Sequence, residues 1–348
     1  QSPKKYIFAF MIILLISFAV FFGLELLYFK IADRYNIVDK PNSRSSHTQL
    51  TIRGGGIIFP IALVLGILFF QPQYILLAVA VLAISLISFL DDIITLSNKI
   101  RISVHLLAVI LAIYQCYLNQ PQLQNFTANH NEIFVIGTGL ITLILFLGII
   151  NACNFMDGIN GITVLYYVVT LATIWFTQHH LNLLFFPDGI WQMLLASLVV
   201  FGFFNMRKKA KTFAGDVGSI SVALVICFLI LSLVAITQNF KWILLLGVYG
   251  IDTILTIICR LLRRENIFEA HRSHFYQYLA NQRKMGHILI SIFYALAQLL
   301  INYLLVMEES GICALSAFLW LLMLYCFLRY KLEGTRVLFK SYQFPHSA

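Results

Sequence analysis

Four aspartates stand in short polar stretches at the ends of long apolar runs. Asp91 and Asp92 are adjacent, and Asp157 and Asp216 occur in two later stretches. Carboxylates at the mouth of a membrane helix cost free energy unless water, cations or polar partners receive them. Taken alone, the adjacent pair fits two solvated carboxylates at a helix end equally well. We predict that all four side chains meet on one face of a membrane and hold a metal ion and phosphates.

The densest polar stretch is Asn-Ala-Cys-Asn-Phe-Met-Asp-Gly-Ile-Asn-Gly at residues 151–161. Asn151, Asn154 and Asp157 recur at i, i+3 and i+6, which keeps them roughly on one helical face. Gly158 and Gly161 allow a break in the helix or a close approach of the backbone to a ligand. A plain polar turn is the alternative, but the lack of Lys and Arg favours coordination or hydrogen bonding.

Residues 213–219, Phe-Ala-Gly-Asp-Val-Gly-Ser, open another apolar run. Gly-Asp-x-Gly-Ser at a helix start offers backbone N–H groups to an anion and a carboxylate to a hard cation. An ordinary Asp or Ser helix cap is the alternative. The stretch is not a P-loop, because Gly-Lys-Ser/Thr is absent.

Two basic segments carry groups that could face phosphates. His271 and His274 flank Arg272, whose planar fork suits a phosphate. Zinc is the alternative for the histidines, but further ligands of the usual kind are not evident nearby. In the first polar loop, ordinary anchoring at the membrane surface competes with a role in binding a diphosphate. The basic residues of that loop are Lys40, Arg44, His47 and Arg53.

The composition is that of a multi-span membrane protein, with 60% of the 348 residues hydrophobic and 11% charged. The net charge of +9 fits anionic lipid headgroups or phosphorylated substrates better than nucleic acid, because no basic stripe stands in a soluble domain. The cysteines form no Cys-x-x-Cys pair, so neither a disulfide framework nor a thiolate zinc site is indicated. The first apolar run lacks a small-residue cleavage site, which predicts a retained span.

A span needs about 20 apolar residues. We predict spans at 6–29, 54–70, 74–90, 102–118, 133–150, 159–177, 189–205, 217–237, 242–260, 287–306 and 312–328. Loops after odd-numbered spans carry every Lys and Arg except Lys4, Lys5 and Lys241. The positive-inside bias places these loops, and the polar motifs with them, in the cytoplasm and the N-terminus outside. We therefore predict an all-α polytopic membrane protein of one domain, 1–348, with about 11 transmembrane helices, a cytoplasmic-face active-site cleft and a cytoplasmic tail at 330–348.

Taken in order, these motifs resemble the polyprenyl-phosphate N-acetylhexosamine-1-phosphate transferases, the glycosyltransferase family 4 group. The match runs over about residues 38–277 and includes Val-Asp-Lys-Pro-Asn-Ser-Arg at 38–44 and His-Arg-Ser-His at 271–274. The segments around Arg53 and His271 look closest to the O-antigen-initiating branch, whose members prefer 6-deoxy sugars. Many relatives have Asp where Asn160 stands. The resemblance implies a bacterial inner-membrane enzyme that transfers a sugar 1-phosphate, of an N-acetylhexosamine or a 6-deoxy-N-acetylhexosamine, from a UDP-sugar to undecaprenyl phosphate, giving undecaprenyl-diphospho-sugar and UMP.

The resemblance also implies residue roles. Asp216 would be a principal ligand of Mg²⁺, with Mn²⁺ as the alternative ion, and Asp157 would lie near the metal or the diphosphate. Asp91 or Asp92 would position or deprotonate the lipid phosphate. The remaining assignments follow the motifs: the nucleotide would be contacted by Asn154, Asn160 and Asn205, and phosphates by Lys40, Arg44, His271, Arg272 and His274.

Other classes were weighed against this interpretation. An intramembrane aspartyl protease needs Gly-x-Gly-Asp, but Phe213 stands at the first glycine position. A non-catalytic transporter or flippase of anionic polyprenyl lipids would explain the basic loops without any release of UMP. The sequence leaves a homodimer open.

Overall fold

The computed structural model describes residues 3–39, 50–267, 269 and 271–340, so Lys40 and Arg44 lie outside the described residues. Long apolar runs become helices because a lipid environment leaves backbone groups no other partners. The helices are α1 (Pro3–Tyr35), α2 (Ile58–Phe70), α3 (Ile75–Ile93), α4 (Asn98–Asn119), α5 (Pro121–Asn129), α6 (Glu132–Phe155), α7 (Ile162–His180), α8 (Asp188–Asn205), α9 (Gly215–Thr237), α10 (Gly247–Leu262), α11 (Phe275–Asn281), α12 (His287–Met307) and α13 (Ile312–Phe339).

Each of the predicted spans coincides with a helix, which confirms the all-α polytopic class. Within the described ranges, 9 helices are long and apolar enough to cross a membrane. The helical segment at the second predicted span, Gly55–Phe70, is shorter than these nine helices, and α7 is not among the nine. Helix α7 carries buried polar side chains such as Thr170 and Thr177, which lower its hydropathy although the protein surrounds them. The count of about 11 therefore stays a prediction.

Helix α9 is the centre of the bundle. It packs against α2, α3, α4, α6 and α7, and most of its side chains are buried. By contrast, only 11% of the most apolar window is buried in α6 and in α13, which places them at the periphery. Because α9 is enclosed, its first turn has neighbours on several sides. The site described below is built around that turn.

Short extended segments join the loops at one end of the bundle. Strand β1 (Val38–Asp39) pairs antiparallel with β2 (Thr51–Ile52). Ile52 in turn bridges Thr212, in the loop before α9. The backbone N–H of Gly55 then donates to the carbonyl of Phe213 at 2.9 Å. The first loop is therefore fixed directly against the 213–219 motif, although hydropathy gave no sign of this pairing.

Helix α13 continues past residue 330, where the sequence suggested a tail. Its backbone departs from helical geometry at Gly334, with φ 78° and ψ 161°. The buried Arg329 side chain pairs with Glu333 at 2.8 Å one turn later. The described part of the predicted tail thus begins as a packed helix.

Candidate active site

The segment Arg53–Gly56 packs against the first turn of α9 with backbone almost touching backbone. A Cβ atom built on Gly56 would lie 2.5 Å from the Cα of Gly218 and 2.7 Å from the carbonyl oxygen of Ala214. Gly215 has a φ of 69°, and a Cβ there would meet the Asp92 carboxylate at 2.4 Å. Glycine is required at both contacts because no side chain fits. The two glycine-rich motifs therefore form one structural unit.

Asp92 is buried and holds this unit together. One nitrogen of the Arg53 guanidinium lies 2.8 Å from its Oδ1 atom. The backbone N–H groups of Asp216 and Val217 donate to its two oxygens at 3.3 and 3.4 Å. A carboxylate at a helix N-terminus is stabilised by the free N–H groups and the helix dipole. Asp92 thus caps α9 from a different helix.

Asp91 points towards a different set of partners. It pairs with Arg101 of α4 and accepts a hydrogen bond from the N–H of Leu96 at 2.8 Å. This divergence follows from the ~100° between successive residues on a helix. The Arg101 pair was missed in the sequence, where Arg101 contributed only to the charge count.

Asp216 faces a cavity of about 260 Å³ at the end of the bundle. Its carboxylate remains partly exposed and lies 3.8 Å from Arg53. Asn151 and Asn154 border the same cavity, and Asn154 accepts a hydrogen bond from Ser219 at 2.8 Å. The structure therefore places an acidic group and two amides around one polar space.

Asp157 lies in the loop between α6 and α7. The pKa of its carboxyl is raised to about 6, chiefly by burial and also by the charge of Asp216. A hydrogen bond from Thr163 and the charge of Arg53 act in the opposite direction. Asp157 is thus within electrostatic reach of Asp216 and Arg53. Asp92 and Asp216 lie beside Arg53, and Asp157 interacts electrostatically with Arg53 and Asp216; that the aspartates hold a metal ion stays a prediction.

The donor set fits Mg²⁺, which is usually held by one or two carboxylates plus water and phosphate oxygens. Asp216 and Asp157 supply carboxylates, and the cavity beside Asp216 leaves room for phosphate. In the part of the chain that the structure describes, no three His, Cys, Asp or Glu side chains form an all-protein metal cage. A site completed by substrate phosphates is the arrangement these residues suit.

Asn160 and Asn205 connect two loops of the site. The side-chain amide of Asn160 donates to the carbonyl of Arg207 at 2.8 Å. Asn205 accepts from the N–H of Gly161 at 2.7 Å and donates to the carbonyl of Thr212 at 2.9 Å. Both side chains are buried. Their observed role is to fasten the 156–161 loop to the 206–214 loop, and their predicted contact with the nucleotide stays a prediction.

The loop with His271, Arg272 and His274 packs on the end of α6. The rings of Phe155 and His271 are 6.0 Å apart, and the Tyr276 hydroxyl donates to the carbonyl of Phe155 at 2.8 Å. Burial, together with the charges of His274 and Arg260, lowers the pKa of His271 to about 3. The His271 imidazole is therefore neutral at physiological pH.

Asp252, a buried carboxylate on α10, is the residue that holds this loop. Its Oδ1 atom is 3.1 Å from Nδ1 of His274 and 3.1 Å from the N–H of Phe275. Tyr294 and Tyr325 donate to the same carboxylate at 2.6 and 3.0 Å. Helices α10, α12 and α13 thus converge on one buried charge.

Asp252→Asn is expected to destabilise the protein by about 3 kcal/mol, because the groups arranged around a buried charge lose their partner. Thermal unfolding in detergent should show a clear fall in the midpoint. Tyr294→Phe is the matched control: it removes a single hydrogen bond to the same carboxylate and should cost about 1.5 kcal/mol. Equal midpoints for the two variants would contradict this role of Asp252.

The fold and the site together define a polytopic membrane protein with a carboxylate and amide site at one end of its bundle. Residues 74–234 match the family model described as glycosyl transferase family 4. The chain is also 27% identical over 321 residues to the "Probable undecaprenyl-phosphate N-acetylglucosaminyl 1-phosphate transferase" of Bacillus subtilis (strain 168), over 86% of this chain and 83% of the relative. These similarities support the family indicated by the motifs, the polyprenyl-phosphate N-acetylhexosamine-1-phosphate transferase group of glycosyl transferase family 4. The O-antigen branch stays a prediction.

Proposed function

We propose that this protein transfers a sugar 1-phosphate from a UDP-sugar to undecaprenyl phosphate, giving undecaprenyl-diphospho-sugar and UMP. The observation that carries the proposal is the gathering of Asp92, Asp157 and Asp216 around Arg53 at one end of a membrane bundle. The name of the Bacillus subtilis relative supports the same class of reaction. A lipid acceptor lies in the bilayer and a nucleotide donor in water, so a polar site at the end of a membrane bundle is accessible to both.

In the proposed reaction, an oxygen of the lipid phosphate attacks the sugar-bearing phosphorus. The bond from that phosphorus to the bridging oxygen breaks, and UMP leaves with the bridging oxygen. Phosphoryl transfer depends mainly on positioning and charge neutralisation. A general base is only partly needed, since the second pKa of a phosphate monoester is about 6.

The residues divide these tasks between them. Asp216 and Asp157 would hold Mg²⁺, which when bound neutralises charge on the diphosphate. Arg53 lies between Asp92 and Asp216 and can turn its exposed face to a phosphate oxygen. Because Asp91 lines the cavity beside Asp216 and Asp92 does not, Asp91 is the better candidate to position the lipid phosphate. His271, Arg272 and His274 would receive the donor phosphates from the opposite loop.

The cellular setting is proposed from the charge pattern. The basic loops support a cytoplasmic site in the bacterial plasma membrane, with the N-terminus outside. There the enzyme would initiate a cell-envelope polysaccharide such as the O-antigen. The donor sugar would be N-acetylglucosamine, as in the relative's name, or the 6-deoxy-N-acetylhexosamine suggested by the motifs.

The test is an assay of purified protein with undecaprenyl phosphate, Mg²⁺ and a panel of UDP-sugars that includes both candidates. UMP should appear only when lipid and donor are both present. Binding of the lipid without release of UMP would favour the alternative, a non-catalytic transporter of anionic polyprenyl lipids.

Removal of divalent cations provides a separate prediction. Chelation with EDTA should abolish UMP release, because two carboxylates beside a diphosphate repel it without a cation. Added Mg²⁺ should restore the rate, with Mn²⁺ tested beside it. Full activity in chelator would contradict the assigned roles of Asp216 and Asp157.

A further inference from the structure

The cavity beside Asp216 has two levels. Its outer rim is polar and is formed by Asp91, Arg101, Asn151, Asn154 and Asp216. One helical turn deeper the wall is formed by Ser88, Ile102, His105, Leu147 and Ile220. The inner level therefore places the side chains of Ser88 and His105 among aliphatic ones.

Three buried polar atoms, each on a residue that lines this cavity, have no hydrogen-bond partner within the described ranges. They are Oγ of Ser88, Nε of Arg101 and Nε2 of His105. Ser88 is only 2% exposed. A buried polar atom without a partner costs about 1–3 kcal/mol, so three around one space indicate groups that a ligand completes.

The chemistry of these atoms suits a phosphate monoester. A serine hydroxyl and an arginine Nε–H donate, and a neutral imidazole nitrogen can donate or accept according to its tautomer. A monoester carries an ionisable P–OH and so offers both acceptors and a donor. The sugar-linked diphosphate of a nucleotide sugar has no such P–OH. The charge of Asp91 does not oppose an anion here, because Arg101 already pairs with it.

The inner wall also offers a path for an apolar chain. Ile102 lines the cavity and is nevertheless 61% exposed on α4, where the surface of the bundle faces lipid. Leu147 of α6 and Ile220 of α9 continue the apolar wall. A phosphate held at Ser88 and His105 would thus have its substituent directed past Ile102 into the bilayer.

We propose that Ser88 and His105, with Nε of Arg101, form the subsite for the phosphate of the lipid acceptor. This rests on the proposed function for the identity of the acceptor as a polyprenyl phosphate. The donor diphosphate then lies on the outer side, between Asp216, Arg53 and the histidine loop. In this arrangement Ser88 and His105 bind the lipid acceptor directly.

The kinetic test uses Ser88→Ala and His105→Ala in the UMP-release assay. Each should raise KM for undecaprenyl phosphate roughly tenfold, the effect of one lost hydrogen bond to a charged group, with KM for the UDP-sugar unchanged. His105→Gln should retain most of the affinity, because its amide can donate from a similar position. Ser85→Ala is the matched control: Ser85 is buried without a hydrogen-bond partner on the same helix, but it does not line the cavity.

A binding experiment separates this proposal from the proposed function. Farnesyl phosphate, farnesol and inorganic phosphate are added to the purified protein without UDP-sugar, and the shift in thermal midpoint is measured. Farnesyl phosphate should stabilise the wild type and the Ser85→Ala variant, but less so Ser88→Ala and His105→Ala. Equal stabilisation of all variants, a response to farnesol equal to that of farnesyl phosphate, or a raised KM for the UDP-sugar alone would overturn the subsite. Absence of UMP from the wild type would instead overturn the proposed function.

Discussion

Asp216→Asn is expected to abolish sugar-phosphate transfer while the protein still inserts and folds. The amide keeps the shape of the side chain but removes the negative charge that faces the cavity and Arg53. Because catalysis of phosphoryl transfer depends on charge neutralisation, we expect a loss on the order of 10³-fold or more. The rate of UMP release and the amount of protein recovered in the membrane fraction give the two measurements.

Asp188→Asn is the matched control for that experiment. Asp188 opens α8 at the opposite end of the bundle, where it contacts His179 and Trp175. Its replacement should leave the rate of UMP release close to that of the wild type. Wild-type turnover by Asp216→Asn would remove Asp216 from the metal site.

Gly56→Val is expected to disrupt the site without touching a charged group. The valine Cβ would lie 2.5 Å from the Cα of Gly218 and 2.7 Å from the carbonyl oxygen of Ala214. Both of these are backbone atoms, which cannot shift as easily as the end of a flexible side chain. Separating the two segments would displace Arg53 from Asp92 and Asp216. Overpacking of this kind costs about 1–3 kcal/mol, and a displacement of about 1 Å at a reacting centre costs roughly 100-fold in rate.

The control for the glycine experiment is Gly148→Val, on α6. Among the described residues, no atom outside the backbone of α6 itself lies within 4 Å of a Cβ built on Gly148, so the same added side chain meets open space. We expect a nearly unchanged rate and thermal midpoint for this variant. If Gly56→Val behaved like Gly148→Val, the close packing of the two motifs would have no functional importance.

The sequence predicted that the carboxylates meet on one face of the membrane, because every polar motif follows an odd-numbered predicted span. It did not predict which member of the pair Asp91-Asp92 faces α9, since that depends on the rotation of α3 against its neighbours. The cap that Asp92 places on α9 joins residues 124 positions apart. No local pattern encodes such a contact.

Other features escaped prediction for different physical reasons. The pairing of β2 with the loop at Thr212 involves only a few backbone groups and leaves no periodic signal. Asp252 could be recognised as a charge needing a partner, but its tyrosine donors come from two later helices.

The cap on α9 also has a consequence for biogenesis. Asp92 leaves the ribosome more than a hundred residues before the backbone amides that it binds. During that interval Asp92 lacks these N–H donors, and Arg53 on the earlier chain is the charged partner that the described residues show for it. The acidic end of the bundle is therefore completed only when the start of α9 has been translated.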